Sequence, residues 1–450
     1  PAEVVLAGQC EDNWAPQHWF TWPGNQFEPD AQRVKFERVI GTIARDLNLR
    51  ISFEPQPLHT NAAISAWLDS VLADPPDALF IVNFWNSFSP KLKPVLERWP
   101  GAMIVYHPVG ANHQLPPEYL RHAPRTQYIH SIENWPAIER GLRAVRARVA
   151  MRTAHLLRVS GRAERRSDTT EPWFGTRITT LPAAEFNDRF DAQTLTPSLE
   201  RLAREVRAGA SRVMDLSNDA IRDAVRAHAT VERLLDEYEA DAITIECLFL
   251  KHRKPCLSFS LLNGRLVPCG CENDLNATLT LMFGAACFGR AGFQHNPEFD
   301  TEQNLYFGAH CTCATRLNGP AGPAARYSLR PFFHQMPKTV AFDVEWPAGE
   351  RITLLKYHSG QKRLDLWGGQ CLGSPPAPPT GGCATRVLAR IDAVADVCEV
   401  YGGPHPVLFL GDFVRHAQTF ARLYELETRG PLSAVSTASV VGRLSSTRSA

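Results

Sequence analysis

The first part of the chain alternates short apolar runs with longer segments in which apolar residues recur every three or four positions. Short apolar runs are typical of buried strands, and the longer spacing is typical of amphipathic helices. Strand and helix therefore alternate along residues 1–150, and this pattern predicts a doubly wound α/β domain. The predicted elements are strands 4–8, 50–53, 78–84 and 102–106 and helices 31–47 and 61–73.

The same alternation begins again near residue 151 and predicts a second α/β domain over residues 151–290. Its last element is a helix in which Leu275, Leu279 and Phe283 share one face. The predicted fold class is thus α/β, with two doubly wound domains of the Rossmann-like or flavodoxin-like kind. The predicted elements are strands 154–159, 177–181 and 242–245 and helices 198–208 and 220–238.

From Gly292 onwards the apolar runs are short and are separated by glycine and proline. This texture predicts a small antiparallel β domain of barrel-like form over residues 291–428, closed by a returning helix. Residues 429–450 lack apolar periodicity and are predicted to form a disordered tail. The predicted strands are 304–309, 339–344, 352–356 and 363–367.

The composition is that of an ordinary globular protein. The chain has 450 residues, of which 44% are hydrophobic, so it can bury more than one core, and its formal net charge is +1. Basic and acidic residues are interspersed, which argues against nucleic acid or an anionic membrane as a partner. No apolar run is long enough to span a membrane. The basic run 143–166 is interpreted as a solvated helix face and linker.

The chain contains 11 cysteines, and they lie largely inside apolar runs. This placement and the odd number predict reduced, buried thiols in a cytoplasmic protein. Cys269 and Cys271, like Cys311 and Cys313, are separated by one residue rather than by the two of common zinc sites, so a structural zinc ion is not expected. No glycine-rich phosphate fingerprint follows a predicted strand of the first domain, which disfavours nucleotide binding.

One stretch places a carboxylate between a glycine- and cysteine-rich run and a helix. Glu272 follows residues 267–271, and the helical pattern takes over directly afterwards. Glu272 is therefore expected at the entrance to a helix, where unpaired N–H groups and the helix dipole stabilise an ionised oxygen. Taken alone, this residue can be either a capping acid or a metal-binding carboxylate.

Two later fragments favour the metal-binding interpretation. One contains His310 within Gly-Ala-His-Cys-Thr, and the other contains His405 within Gly-Gly-Pro-His-Pro. Together with the Glu272 stretch they resemble the site signatures of the L-fucose and L-arabinose isomerase superfamily, ketol isomerases that hold a divalent metal ion, usually manganese. Over residues 241–427 the resemblance lies in the order of the motifs and in their local sequences. Over the first half of the chain it lies only in the α/β pattern.

The resemblance implies roles for these residues. Glu272 would be both a metal ligand and the proton-transfer residue, and His310 and His405 would be metal ligands. The ion would be Mn²⁺, with Co²⁺ or Mg²⁺ as alternatives, since carboxylate and imidazole donors suit such ions. Family members are homo-oligomers, trimers or hexamers, whose sites are completed by neighbouring subunits. Without the resemblance, His310 would be interpreted as a structural strand histidine.

The chain departs from the family pattern at the position of the second carboxylate. That position carries His295, which is therefore a candidate metal ligand and catalytic residue. If His295 binds the metal, the site keeps its ion but loses its second proton-transfer carboxylate. Glu298 or Asp300 could replace that carboxylate only if the loop bends differently. Asp274 is a weaker candidate because neighbouring helix positions point in different directions.

Four further residues are candidate substrate-binding groups. Trp14 and His18 lie in a long aromatic loop after the first strand, where loops of an open sheet face the ligand crevice. Packing in a core or subunit contact is the alternative interpretation of this loop. Glu246 closes a strand and faces either the crevice or the basic residues 251–254. Asn296 follows the histidine at the position of the missing carboxylate.

The predicted reaction moves hydrogen between adjacent carbon atoms of a sugar. A base must remove a proton from a carbon that bears a hydroxyl, and a divalent cation compensates the charge that develops on the two oxygens. The expected function is thus aldose–ketose isomerisation of a sugar such as L-fucose, D-arabinose or L-arabinose. A metal-dependent epimerase or lyase on a sugar or sugar acid, and a non-catalytic sugar-binding protein, are the alternatives.

Overall fold

The chain folds into a mixed α/β structure with both parallel and antiparallel sheets, as the sequence predicts. The structure is a computed structural model. It describes residues 2–9, 29–84, 90–108, 116–332, 339–376 and 382–431, with the backbone alone at 2–9, 29 and 251–253. Trp14, His18 and nearly all of the predicted disordered tail lie outside the described residues, so the predictions for them stay predictions.

The residues group into two compact units. The first consists of Pro1–Thr153, Ala286–Phe288 and Arg415–Leu426. The second consists of Ala154–Ala285, Gly289–Val414 and Glu427–Ala450. The finer division of residues 151–428 into an α/β domain and a β domain stays a prediction.

In its described residues, the first unit contains a five-stranded parallel sheet with five helices, and it also includes most of the last helix of the chain. The strands are β1 (Ala2–Gln9), β2 (Leu49–Phe53), β3 (Ala78–Asn83), β4 (Ala102–Pro108) and β5 (Thr126–Ser131). The helices are α1 (Pro29–Asp46), α2 (Asn61–Ala73), α3 (Lys93–Arg98), α4 (Glu118–Arg121) and α5 (Trp135–Thr153). The strand order is β2-β1-β3-β4-β5. Because β3 and β4 are buried along their whole length, their sequences read as continuous apolar runs.

The second unit contains another five-stranded sheet, in which the edge strand β7 is antiparallel to its neighbour. The strands are β6 (His155–Ser160), β7 (Ser167–Thr170), β8 (Arg177–Pro182), β9 (Ala242–Ile245) and β10 (Cys269–Cys271). The helices are α6 (Ala183–Ala192), α7 (Pro197–Gly209), α8 (Asn218–Glu237), α9 (Cys256–Gly264) and α10 (Leu275–Phe288). The strand order is β10-β9-β6-β8-β7. The residues after β10 therefore emerge at the carboxyl edge of the parallel strands, where open sheets place their ligands.

The second unit also contains a larger sheet whose strands are antiparallel except for β20, which lies parallel to β17. Its strands are β11 (Phe293–Gln294), β12 (Asn296–Asp300), β13 (Leu305–His310), β16 (Arg351–His358), β17 (Arg363–Gly373), β18 (Thr385–Ile391), β19 (Val407–Leu410) and β20 (Glu427–Arg429), while β14 (Tyr327–Pro331) and β15 (Val340–Val344) form a separate pair. The last helix of the chain, α11 (Val414–Tyr424), belongs to the first unit apart from its first residue. No helix in the described part of the chain is both long and apolar enough to cross a membrane.

One hydrophobic core joins helices α7 and α8 to the antiparallel strands of the second unit. Val206 and Val225 from the helices belong to the same buried cluster as Phe342, Trp367 and Leu408 from the strands. Burial of a large apolar side chain stabilises a fold by about 1.5–3 kcal/mol, so this shared core fixes β13 and β19 relative to the parallel sheet. Residues at the ends of β13 and β19 are thereby positioned relative to the ends of the parallel strands.

Candidate metal centre

The turn after β10 places Glu272 at the carboxyl edge of the parallel sheet. Glu272 and Asn273 both adopt left-handed backbone, with φ angles of 60° and 59°. This conformation costs a residue with a side chain about 1 kcal/mol or more. The Asn273 backbone N–H donates a hydrogen bond to the Ile245 carbonyl at 3.1 Å. The Arg158 guanidinium donates a second one to the side-chain oxygen of Asn273 at 2.7 Å. The turn is thus tied to both β6 and β9.

Helix α10 begins at the first apolar residue of the predicted helical pattern. Helix α10 starts at Leu275, and its N-cap is Asp274, whose side chain accepts a hydrogen bond from the Ala277 amide at 2.9 Å. Glu272 precedes this cap and is therefore not the capping acid. Glu272 lies two residues before the N-cap, because a left-handed turn at Glu272 and Asn273 comes between strand and helix.

Two buried histidines approach Glu272 from the antiparallel sheet of the same unit. His310 is the last residue of β13, and His405 lies shortly before β19. Their Nε2 atoms lie 3.6 Å and 3.5 Å from the two different oxygens of the Glu272 carboxylate. The histidine side chains are 4% and 8% exposed, whereas that of Glu272 is 33% exposed. The structure therefore brings together three of the four residues predicted to bind a metal.

The second ring nitrogen of each histidine has a partner in the protein. His405 Nδ1 lies 3.0 Å from a carboxylate oxygen of Asp274, so this nitrogen carries the hydrogen and donates it. His310 Nδ1 lies 3.4 Å from the Thr312 hydroxyl. Both Nε2 atoms are buried and have no hydrogen-bond partner among the described residues. A buried polar atom without a partner costs free energy. The arrangement therefore fits a site in which a cation accepts the lone pairs of the two Nε2 atoms.

Asp274 links the start of α10 to His405. One oxygen of its carboxylate accepts the capping hydrogen bond from the Ala277 backbone N–H. The other oxygen accepts a hydrogen bond from the His405 imidazole. Burial alone would raise the pKa of Asp274, but hydrogen bonds from His405 and from the Ala277 amide hold that pKa below its usual range. The carboxylate is therefore ionised at neutral pH and orients the ring, as carboxylates behind metal-bound histidines do. From the sequence, Asp274 was expected only as a weaker candidate for proton transfer, and its orienting role was not predicted.

Substitution of Asp274 is expected to separate its two roles. Asp274→Asn keeps a good N-cap but removes the negative charge beside His405, so affinity for Mn²⁺ should fall about 10- to 100-fold with little change in stability. Asp274→Ala also removes the cap and should lower the free energy of unfolding by about 1 kcal/mol. Calorimetric titration with Mn²⁺ and urea denaturation measure the two effects. Equal Mn²⁺ affinity in the wild type and in Asp274→Asn would contradict the orienting role.

A donor of a third kind lies beside these residues. The Cys271 sulfur, a Glu272 oxygen and a His310 nitrogen lie within 4.8 Å of one another, and such a group could hold a metal ion. Cys271 is a free, buried thiol, as predicted, and its sulfur lies 3.2 Å from that of Cys247. Cys271 was not predicted from the sequence to be a ligand of this site. Its position directly before Glu272 was the available signal.

The protonation states of these groups bear on metal binding. Burial lowers the pKa of His310, although the neighbouring Glu272 carboxylate opposes this shift. His310 is therefore neutral at pH 7, which is the form of imidazole that binds metals. The hydrogen bond with Cys247, together with burial, raises the pKa of the Cys271 thiol. A cation that binds this sulfur would consequently release its proton.

His295 has a structural environment. It is fully buried, its Nδ1 donates to the Phe293 carbonyl at 2.9 Å, and its Nε2 accepts from the Tyr306 hydroxyl. Its ring occupies the space beside Gly308, where a β-carbon would lie 2.5 Å from the imidazole. Neither ring nitrogen is left for a metal in this arrangement. The structure therefore does not support the predicted catalytic and metal-binding roles of His295, because both nitrogens already have protein partners.

The burial of His295 predicts a dependence of stability on pH. Burial lowers its pKa from 6.5 to about 3. As pH falls from 6.5 towards 3, the unfolded chain takes up a proton that the folded chain does not, so stability is complete above 6.5 and is lost progressively below it. Between roughly pH 6.5 and 5 this residue should account for a loss of about 2 kcal/mol. Urea denaturation of the wild type and His295→Gln at both pH values measures the effect, and an equal loss in the two proteins would contradict it.

Gln294 supports the strand that leads into the site. Its side-chain amide donates to the Cys271 carbonyl at 3.0 Å and accepts from the Cys271 backbone N–H at 2.8 Å. The side chain thereby pairs with the open edge of β10 in the manner of an additional strand. This pair of hydrogen bonds fixes the backbone position of Cys271 and, with it, the start of the Glu272 turn.

The remaining candidate residues have other contacts. Glu246 accepts hydrogen bonds from the Ser160 hydroxyl at 2.9 Å and the Gly161 amide at 2.8 Å, so it braces the ends of β6 and β9. The sequence left two environments open for Glu246, the ligand crevice or the basic residues 251–254. Ser160 and Gly161 belong to neither. Asn296 is exposed on β12, opposite Ala309 of β13, and its role in substrate binding stays a prediction.

No protein-family model matches the chain, and no protein of established annotation is significantly similar to it in sequence. The resemblance to the fucose and arabinose isomerases therefore rests on the motif fragments and stays a prediction.

Proposed function

We propose that the protein is a metal-dependent isomerase that interconverts an aldose and a ketose, with a sugar such as L-fucose, D-arabinose or L-arabinose as substrate. The observation that supports this proposal most directly is the convergence of Glu272, His310 and His405, which lie far apart in the sequence. These are the residues to which the motif resemblance assigns the metal. A cytoplasmic homo-oligomer is the form of the enzyme that the resemblance implies.

The strand orders support the proposed architecture. The order β2-β1-β3-β4-β5 with parallel strands is one of the two common orders of doubly wound domains. In the second sheet, strands β10, β9, β6 and β8 are also parallel. We therefore propose two doubly wound domains followed by an antiparallel β domain.

The donor set fits a divalent cation. Glu272, His310 and His405 would hold it, since two of them present buried nitrogens that have no other partner among the described residues. Mn²⁺ is the proposed ion, with Co²⁺ or Mg²⁺ as alternatives, because oxygen and imidazole donors suit these ions. When bound, the cation would supply positive charge for two adjacent oxygens of the sugar.

Glu272 would carry out the proton transfer. Its carboxylate is far more exposed than the two histidines, so a substrate can reach it from solvent. As a base it would remove a proton from one carbon and return it to the neighbouring carbon on the same face of the sugar. Asp274 would keep the His405 ring oriented during this transfer. The two histidines themselves are buried.

A metal-dependent epimerase or lyase is the second candidate, and one observation favours it. Glu272 and Asp274 are the carboxylates of the cluster within the described residues, and both oxygens of Asp274 already accept hydrogen bonds. Glu298 is exposed on β12, and Asp300 accepts from Gln303 in the turn that follows. Epimerisation or elimination can begin with proton removal by a single base.

Sugar conversion in heavy water distinguishes the candidates. The protein is stripped with a chelator, reloaded with Mn²⁺ and incubated with each of the three sugars, while NMR follows ketose formation and deuterium incorporation at carbon two. Metal-dependent ketose formation supports the isomerase. Deuterium incorporation without ketose supports the epimerase or lyase. A protein that binds no stoichiometric divalent ion would contradict both and would leave sugar binding as the remaining interpretation.

A further inference from the structure

We infer that Cys271 is a sulfur ligand of the proposed metal centre and that the site consequently favours Zn²⁺ or Co²⁺ over Mn²⁺. This inference rests on the proposed function, because it concerns the same metal centre. It changes the predicted donor set from oxygen and nitrogen alone to one that includes a thiolate.

The positions of the donor atoms support a mixed site. The Cys271 sulfur lies within 4.8 Å of ligand atoms of both Glu272 and His310. His405 Nε2 approaches the carboxylate at its other oxygen, at 3.5 Å. In a tetrahedral site with bonds of about 2.0–2.3 Å, neighbouring ligand atoms are separated by roughly 3.3–3.8 Å. Small side-chain movements would therefore bring Cys271, Glu272 and His310 around one ion, whereas His405, which is not part of this group, would have to move further to join them.

The chemistry of sulfur then selects the ion. Thiolate is a soft ligand that suits zinc, whereas Mn²⁺ and Mg²⁺ prefer oxygen donors, and Mn²⁺ stands below Co²⁺ and Zn²⁺ in the usual order of affinity. One thiolate and two imidazoles are donors found at catalytic zinc sites. A carboxylate completes the set here without excluding such an ion.

The surroundings of Cys271 resemble those that orient a ligand. The Cys247 thiol is in contact with the Cys271 sulfur at 3.2 Å, and the Gln294 amide holds the Cys271 backbone on both sides. Such outer contacts fix the direction of a ligand atom and tune its affinity for the ion. Cys269 provides the contrast within the same strand, since it is equally buried but its sulfur contacts the Val267 carbonyl at 3.4 Å.

A tetrahedral ion with four protein ligands leaves no position for a substrate, whereas catalytic zinc sites use three protein ligands. Glu272 is the most exposed of the four donors, and the other three are nearly fully buried. Glu272 would therefore leave the ion when the sugar binds and would then act as the base. Cys271, His310 and His405 would remain as the permanent ligands.

The test uses the full-length protein, kept reduced, stripped of metal and reloaded with Co²⁺. A cobalt–thiolate bond gives a charge-transfer band in the near ultraviolet that oxygen and nitrogen ligands do not give. We expect this band in the wild type and in Cys269→Ser, and we expect it to be absent from Cys271→Ser. Affinity for Zn²⁺ should fall by about 10- to 100-fold in Cys271→Ser, while affinity for Mn²⁺ should change by less than about threefold.

The outcomes separate this inference from the proposed function. Stoichiometric Co²⁺ without the band in the wild type overturns sulfur ligation and leaves the oxygen and nitrogen centre intact. Failure to bind any divalent ion overturns both. If circular dichroism shows that Cys271→Ser is unfolded, X-ray absorption of the zinc-loaded wild type decides the question. A sulfur neighbour at about 2.3 Å is expected there, and a shell of oxygen and nitrogen alone would overturn the inference.

Discussion

Glu272→Gln is expected to lower the rate of deuterium incorporation at carbon two of the substrate by about 10²- to 10⁴-fold, which is the usual contribution of a positioned general base. Glutamine has nearly the same shape as glutamate, so the left-handed turn at this position should persist. Its amide, however, cannot accept a proton from carbon. The assay is NMR in heavy water at saturating metal concentration, because an amide oxygen is also a weaker ligand than a carboxylate.

Glu298→Gln is the matched control. The substitution makes the same chemical change on the exposed face of β12. Its rate should stay within about twofold of the wild type, since surface substitutions away from special features have small effects. A Glu272→Gln protein that exchanges deuterium at the full rate would show that another group is the base.

Gly270→Ala is expected to lower the free energy of unfolding by about 3 kcal/mol, at the upper end of the usual cost of overpacking. A β-carbon at this position would lie 1.8 Å from the Thr278 hydroxyl oxygen and 2.9 Å from the Thr278 β-carbon. Strand β10 and helix α10 therefore have to move apart to accept a single methyl group. Since Glu272 lies between these two elements, metal binding should weaken together with stability. Urea denaturation and metal titration measure the two quantities.

Gly360→Ala controls for the general effect of exchanging glycine for alanine. Apart from the glycine itself and its two chain neighbours, no heavy atom lies within 4 Å of a β-carbon placed there, and the backbone is not left-handed. This variant should differ from the wild type by no more than about 0.5 kcal/mol. Similar stabilities for Gly270→Ala and Gly360→Ala would show that β10 and α10 are not closely packed at this point.

The hydrophobic pattern predicted those parallel strands that are buried on both faces. Strands β3 and β4 appear as unbroken apolar runs because no residue in them faces water. Strand β7 was not predicted, since its sequence is Ser-Asp-Thr-Thr and it is exposed along its whole length. Strand β5 was also missed, because glutamine, threonine and histidine interrupt its apolar residues. Strands of this kind are specified by their neighbours rather than by their own composition.

The candidate site was predicted in part. The motif fragments drew attention to Glu272, His310 and His405, but their convergence depends on a strand order that the sequence pattern does not give. The environment of His295 could not be foreseen, because it depends on a hydrogen bond from Tyr306 on another strand. The orienting role of Asp274 required knowing where the helix begins, and helix boundaries are poorly fixed by periodicity alone.

The left-handed backbone at Glu272 and His405 has a consequence for protein engineering. Glycine adopts this conformation without the penalty of about 1 kcal/mol that other residues incur. Substituting glycine at either position would relieve this local penalty, but it would also remove a donor atom of the proposed metal centre. Variants designed for higher thermal stability should therefore keep Glu272 and His405 unchanged.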